Sequence, residues 1–92
     1  MPEPITRAWM ARHAVADRIS TLDFGDAVQT ISCVRDRRDG RPIGMTVIKL
    51  SRPSGLVEFT YFVSGHQAAI TDLDQALASL ATIRKAKEPA DA

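Results

Sequence analysis

The sequence predicts an α+β fold: a two-layer sandwich in the order α-β-β-β-α, with a three-stranded antiparallel sheet carrying helices on one face. Three observations predict it. Residues 27 to 63 divide into three strand-like runs at two turn signals, Asp39-Gly40 and Arg52-Pro53-Ser54-Gly55. Residues 71 to 87 have helical periodicity, with charges suited to both ends of a helix. Residues 5 to 22 repeat small and apolar side chains at helical spacing.

In the first element, Ile5, Ala8, Ala11, Val15, Ala16, Ile19 and Leu22 fall on one side of a helix, with Trp9 at its edge. Alanine makes this face shallow. Arg12 sits near its middle, where its stem can lie on apolar surface while its head reaches water. The alternative is an Arg held out for a partner. Leu22 to Asp26 should turn the chain into the first strand. Whether this helix packs beside the last one or over the opposite side of the sheet stays open.

The turns set the register of the strands. Asp39-Gly40 is a two-residue hairpin signal. Centring the hairpin there pairs Val34 with Met45, Cys33 with Thr46 and Ile31 with Ile48. In the second turn Pro fixes φ early and Gly closes the loop. Setting Ser51 opposite Leu56 pairs Leu50 with Val57, Lys49 with Glu58, Ile48 with Phe59 and Thr46 with Tyr61. One face then collects Ile31, Cys33, Ile48, Leu50, Val57, Phe59, Tyr61 and Val63, and is expected to be the covered one. The other collects Thr30, Lys49, Glu58, Ser32, Thr60, Val34, Met45, Val47 and Phe62. A one-residue slip would mix the two sets.

The last helix supplies the cover. Thr71 is a candidate N-cap, and Asp72 and Asp74 lie in the first turn. Arg84, Lys85 and Lys87 lie in the last turn, and Pro89 prevents continuation. Ile70, Leu73, Leu77 and Leu80 form the apolar stripe, flanked by Ala69, Ala76 and Ile83.

Length and composition fit a small single α+β domain over residues 5 to 87, with flexible tails at 1 to 4 and 88 to 92. The 92 residues, 45% hydrophobic and 25% charged, are ordinary for a globular chain. A domain of this size buries only about 60–65% of its unfolded surface, so a dimer would help it. No apolar run is long enough to span a membrane and no signal peptide is present, so no membrane partner is expected. One cysteine excludes an internal disulfide and fits a reducing cytoplasm. A net charge of +1 is too small to mark a nucleic-acid binder by itself.

Catalytic signals are poor. His13 and His66 are the only histidines and Cys33 the only cysteine, and none has metal-ligand spacing to another. Asp23-Phe24-Gly25 matches three letters of a kinase metal motif, but a kinase cannot fit in 92 residues. Gly40 and Gly44 fit no phosphate loop. No enzyme, cofactor or metal is expected. The order α-β-β-β-α is shared with double-stranded-RNA-binding domains. That resemblance is one of order alone, because the second helix begins Thr71-Asp72-Leu73-Asp74 in place of phosphate-holding lysines and the Gly-Pro-x-His pattern is absent.

Two surfaces remain as candidate sites. Val34, Met45, Val47 and Phe62 form an apolar cluster on the face the helices are not expected to cover, with Arg37 and Arg38 at its rim. Such a patch on a small protein points to a protein interface. The other is the Arg-rich hairpin, where Arg35, Arg37, Arg38 and Arg41, joined by Arg12, could hold phosphates. The reading is a small non-enzymatic cytoplasmic protein of regulatory, accessory or inhibitor type, of the kind common on mobile elements. It docks on a larger protein through its open sheet face and Arg hairpin. A nucleic-acid-binding module is the alternative, and a homodimer is compatible with either.

Overall fold

A computed structural model describes residues 4–87. The chain runs α1 (Arg7–His13), β1 (Ala14–Asp23), β2 (Val28–Asp36), β3 (Pro42–Ser51), β4 (Val57–Val63) and α2 (Leu73–Lys87). The strands form one antiparallel meander in the order β1-β2-β3-β4. The expected α+β fold with an antiparallel sheet is present, but the sheet has four strands rather than three. The order is therefore α-β-β-β-β-α, and it no longer matches that of double-stranded-RNA-binding domains.

The extra strand comes from the predicted first helix. Thr6 caps α1, its hydroxyl accepting from the Trp9 amide at 3.1 Å, but the helix ends at His13. Residues 14–23 pair instead with β2, from Ala14↔Asp36 to Asp23↔Val28. The pairing shifts between Arg18 and Ser20, leaving Ile19 as an extra residue. That bulge explains why the segment has a helical pattern in sequence. It breaks the period-2 alternation, and it leaves Val15, Ile19 and Leu22 at spacings of four and three, which imitate one side of a helix.

The first hairpin reaches the expected register by an unexpected route. Val34↔Met45, Cys33↔Thr46 and Ile31↔Ile48 all pair as the turn signal implied. The loop itself is longer, with the Asp36 amide bonded to the Arg41 carbonyl at 2.8 Å and Arg37 to Gly40 between them. Ile43 and Gly44 then form a two-residue irregularity in β3, since Arg35 pairs with Pro42 while Val34 pairs with Met45.

The second hairpin departs by one residue. The turn forms where expected, with the Gly55 amide on the Arg52 carbonyl at 2.9 Å. The loop is one residue shorter than expected, however: Pro53, Ser54 and Gly55, with Gly55 at φ +92°, span it, and Arg52 joins the ladder opposite Leu56 through a 2.9 Å bond. Ser51 pairs with Val57, Leu50 with Glu58, Ile48 with Thr60 and Thr46 with Phe62. The expected Lys49–Glu58 pair does not form, because Lys49 faces Phe59. Glu58 instead lies 3.9 Å from Arg52.

This slip exchanges the faces. The core consists of Ile5, Trp9, Val34, Ile43, Met45, Val63, Ile70, Ala76, Leu77 and Leu80, with Val47, Tyr61, Leu73 and Ile83 packed against it. The helices thus cover the face bearing Val34, Met45 and Val47, not the face bearing Ile31, Cys33, Ile48 and Leu50. Of the stripe expected on the last helix, Leu77 and Leu80 are buried and Leu73 is half-buried, while Ile70 is buried ahead of α2, bridged to Tyr61. The cap of α2 is Asp72, whose carboxylate accepts from the Asp74 amide at 2.9 Å, rather than Thr71. The side chains of Arg84, Lys85 and Lys87, the stop at Pro89 and the tails at 1–3 and 88–92 lie outside what the structure describes.

Candidate functional site

The residues expected to form one patch are divided between two faces. Val34 and Met45 are each 2% exposed and belong to the core. Val47 is half-buried and packs against that core. All three are therefore corrected from open surface to interior. Their strand positions alternate with Cys33, Thr46 and Ile48, so once β4 slips by one the two sets change roles. Phe62 alone of the four apolar residues stays on an open face, 38% exposed opposite Thr46.

The open face can be built from the register. β1 contributes Val15, Asp17, Ser20 and Leu22, β2 contributes Gln29, Ile31, Cys33 and Arg35, β3 contributes Thr46, Ile48 and Leu50, and β4 contributes Glu58, Thr60 and Phe62. Among the described residues no helix lies over it, because the helical core residues meet the sheet through Val34, Met45 and Val63. A shallow groove runs across it between Cys33, Thr46 and Phe62. Cys33, expected as a covered core residue, is a free half-buried thiol on this open side. The far end of the sheet also extends beyond the helices, leaving Val28, Val57 and Phe59 exposed on the side that is covered elsewhere. There the Phe59 and Tyr61 rings stack with centroids 6.4 Å apart.

The charged groups of the open face are paired with one another. Arg35 donates to Asp17 at 3.1 Å, and Arg52 lies 3.9 Å from Glu58. The first pair sits on β1 and β2 toward the hairpin, the second beside β4 at the opposite end. Between them lies an uncharged field of Ile31, Cys33, Thr46, Ile48, Leu50 and Thr60.

The hairpin arginines are less available than the sequence suggested. Arg35 is held by Asp17 and by the Gly40 carbonyl at 3.0 Å. Arg38 makes two bonds to Asp36, 3.1 and 2.9 Å long, and its guanidinium carbon lies 5.8 Å from the centre of the Trp9 ring. The Asp36 carboxyl is held below its ordinary value, chiefly by the Arg38 side-chain bonds and then by the Arg38 amide. Arg12 is exposed on α1 and is also engaged. Arg37 and Arg41 are exposed in the loop, Arg41 beside Asp39, whose carboxylate accepts from the Arg41 amide at 3.0 Å. Arg35 and Arg38 thus fasten the hairpin to β1 and α1.

The two helices are linked on their outer side by Arg7 and Asp74 at 2.6 Å, an exposed pair that sequence spacing could not reveal because 67 residues separate them. Its hydrogen bond raises the Arg7 pKa and lowers that of Asp74. Among the described residues, no three His, Cys, Asp or Glu side chains gather as metal ligands. No described helix is long and apolar enough to cross a membrane.

No family model matches the chain, and no curated protein or solved structure matches it.

Proposed function

We propose that this chain is a small binding protein without catalysis, of regulatory, accessory or inhibitor type, that works by docking on a larger protein. The observation that carries the reading is the open face of the sheet. Ile31, Ile48, Leu50 and Phe62 stand there with no described element over them, and contiguous apolar surface of this kind on a small protein usually has a partner. The Arg-rich hairpin borders this face and supplies a polar rim, an arrangement common at protein contacts. The free Cys33 thiol fits a reducing compartment such as the cytoplasm. The engagement of Arg35 and Arg38 by carboxylates favours protein over phosphate as the ligand of the hairpin.

Affinity capture from native-host lysate tests the reading, with wild type and Phe62→Glu as baits and with nuclease present or absent. Phe62 is exposed, so the variant should fold, which far-UV circular dichroism checks. A protein captured at constant stoichiometry, resistant to nuclease and lost with Phe62→Glu, is the expected result. Recovery of nucleic acid, with proteins lost after nuclease, would overturn it.

A further inference from the structure

We infer that the open face of the sheet closes on a second copy of this chain, the two sheets packing face to face about a two-fold axis. This rests on the reading of that face as a protein surface and names its occupant. A larger partner then meets the pair, at the hairpin loops with Arg37 and Arg41 and the exposed Phe59 end of the sheet, and Phe62→Glu ends its capture by splitting the pair.

The first argument is area. Four strands about 4.8 Å apart, with rows of about 9 residues at about 3.4 Å each, give a footprint of roughly 600 Å² before side-chain relief is added. A standard interface uses about 800 Å² of accessible surface per partner. One face of this sheet is therefore of the right size for a complete interface, and sheets stacked in this way lie about 10 Å apart with interdigitated side chains.

The second argument is charge. An isologous interface brings one surface against itself, so a face that carries net charge of one sign meets the same sign. Here Asp17 is paired with Arg35 and Glu58 lies by Arg52, while the field between the pairs is uncharged. The face can meet its own copy without repulsion. A strongly charged partner of either sign would find no free counter-charge on it.

The third argument is that the sheet edges are poor routes to self-association. Ile19 bulges out of β1 and breaks its row of backbone donors. On the other edge, Tyr61 of β4 already exchanges bonds of 2.7 and 3.0 Å with Ile70. Two copies are left to meet through their faces.

The test is light scattering coupled to size exclusion on the purified full chain, over a range of concentrations, for wild type, Ile48→Lys and Thr60→Lys. Thr60 is a half-buried hydroxyl on the edge strand, so its variant is the gentler one if Ile48→Lys unfolds. The expected result is the mass of two chains for wild type and of one chain for a folded variant. A wild type that stays monomeric at high micromolar concentration would overturn the inference, as would a dimer that both folded variants retain. If the chain is monomeric and Phe62→Glu still abolishes capture of a larger protein, the second copy is wrong and the docking function stands. If the chain is monomeric and capture ignores Phe62→Glu, both readings fail.

Discussion

Arg38 lies over the ring of Trp9, 5.8 Å from its centre, and is steered there by its bonds to Asp36. Trp9 is 3% exposed and the only tryptophan of the chain. One contact thus fastens the β2–β3 hairpin to α1, and an intrinsic fluorophore reports on it. An exposed cation–π contact contributes about 0.5–1 kcal/mol. Arg38→Ala should lower the urea midpoint by a few tenths of a molar to about 1 M, given an m-value near 1 kcal/mol/M for a chain of this size. Native Trp9 emission should shift to the red. Unchanged emission would mean that the guanidinium does not shield the ring.

Acidification should loosen the same contact. The folded Asp36 carboxyl is depressed from an ordinary value of 3.8. Its stabilising effect is therefore fully present above that value and is lost as pH falls through the lower folded value. Trp9 emission followed from pH 6 to about pH 2 should change mainly below the ordinary carboxylate range. Asp36→Asn should already show the altered emission at neutral pH and should flatten that acid limb. An equal acid response in both proteins would assign it to another group.

Met45 and Phe62 should differ sharply under truncation. Met45 is 2% exposed, and Met→Ala in a core costs about 2–5 kcal/mol. Phe62, 38% exposed, should lose well under half of that on substitution by Ala in the monomer. Chemical denaturation of the two variants at a concentration where the chain is monomeric checks the face assignment. Equal losses would contradict the one-residue slip of β4.

Gly44 should not tolerate a side chain. Its φ is +95°, and an added Cβ would meet Leu80 Cδ1 at 3.4 Å. The backbone conformation alone costs a non-glycine residue about 1–2 kcal/mol. Gly44→Ala should therefore lower the denaturation midpoint, while Leu80→Ala in the same background should restore none of the backbone part. A neutral Gly44→Ala would show that the irregularity in β3 is easily rearranged.

Salt should weaken the Arg7–Asp74 link without dissolving the fold. The pair is exposed on both sides, and such pairs contribute little to stability. Melting curves of Arg7→Ala and wild type should converge as sodium chloride is raised. A difference that persists at 1 M salt would show that the Arg7 stem, rather than its charge, holds the helices together.

The parts of the fold that were legible in the sequence are those governed by local pattern. The α2 stripe of Leu73, Leu77 and Leu80 has uninterrupted helical spacing, and it lies where that spacing puts it. The pairing of Val34 with Met45 follows from a turn signal with alternating residues on either side. The failures share a cause, which is a change of register by a single residue. Ile19 hid β1 by breaking its alternation, and Arg52, drawn from the loop into the ladder opposite Leu56, reversed β4 relative to β3. The first leaves a misleading helical spacing of apolar residues, and the second leaves no mark in hydrophobicity, since both faces of this sheet carry apolar residues. The candidate site suffered accordingly. Phe62 was expected on the open face and lies there, whereas Ile31, Ile48 and Leu50 were placed in the interior and Val34 and Met45 outside it. The pairing of Arg35 with Asp17 was invisible because it depends on β1 being a strand.

The two hairpins have opposite arithmetic. In the first, loop and strand irregularities come in steps of two, as the shift from Arg35↔Pro42 to Val34↔Met45 shows. An even step moves side chains along the sheet but never turns them over. In the second, Arg52 leaves the loop for the ladder, an odd step, and an odd step inverts everything downstream. Length changes by evolution or by engineering are thus absorbed by one connection and amplified by the other. A pair of residues inserted between Arg37 and Gly40 keeps inside and outside as they are. A single residue gained or lost between Arg52 and Leu56 decides whether Val63 or Phe62 faces the helices.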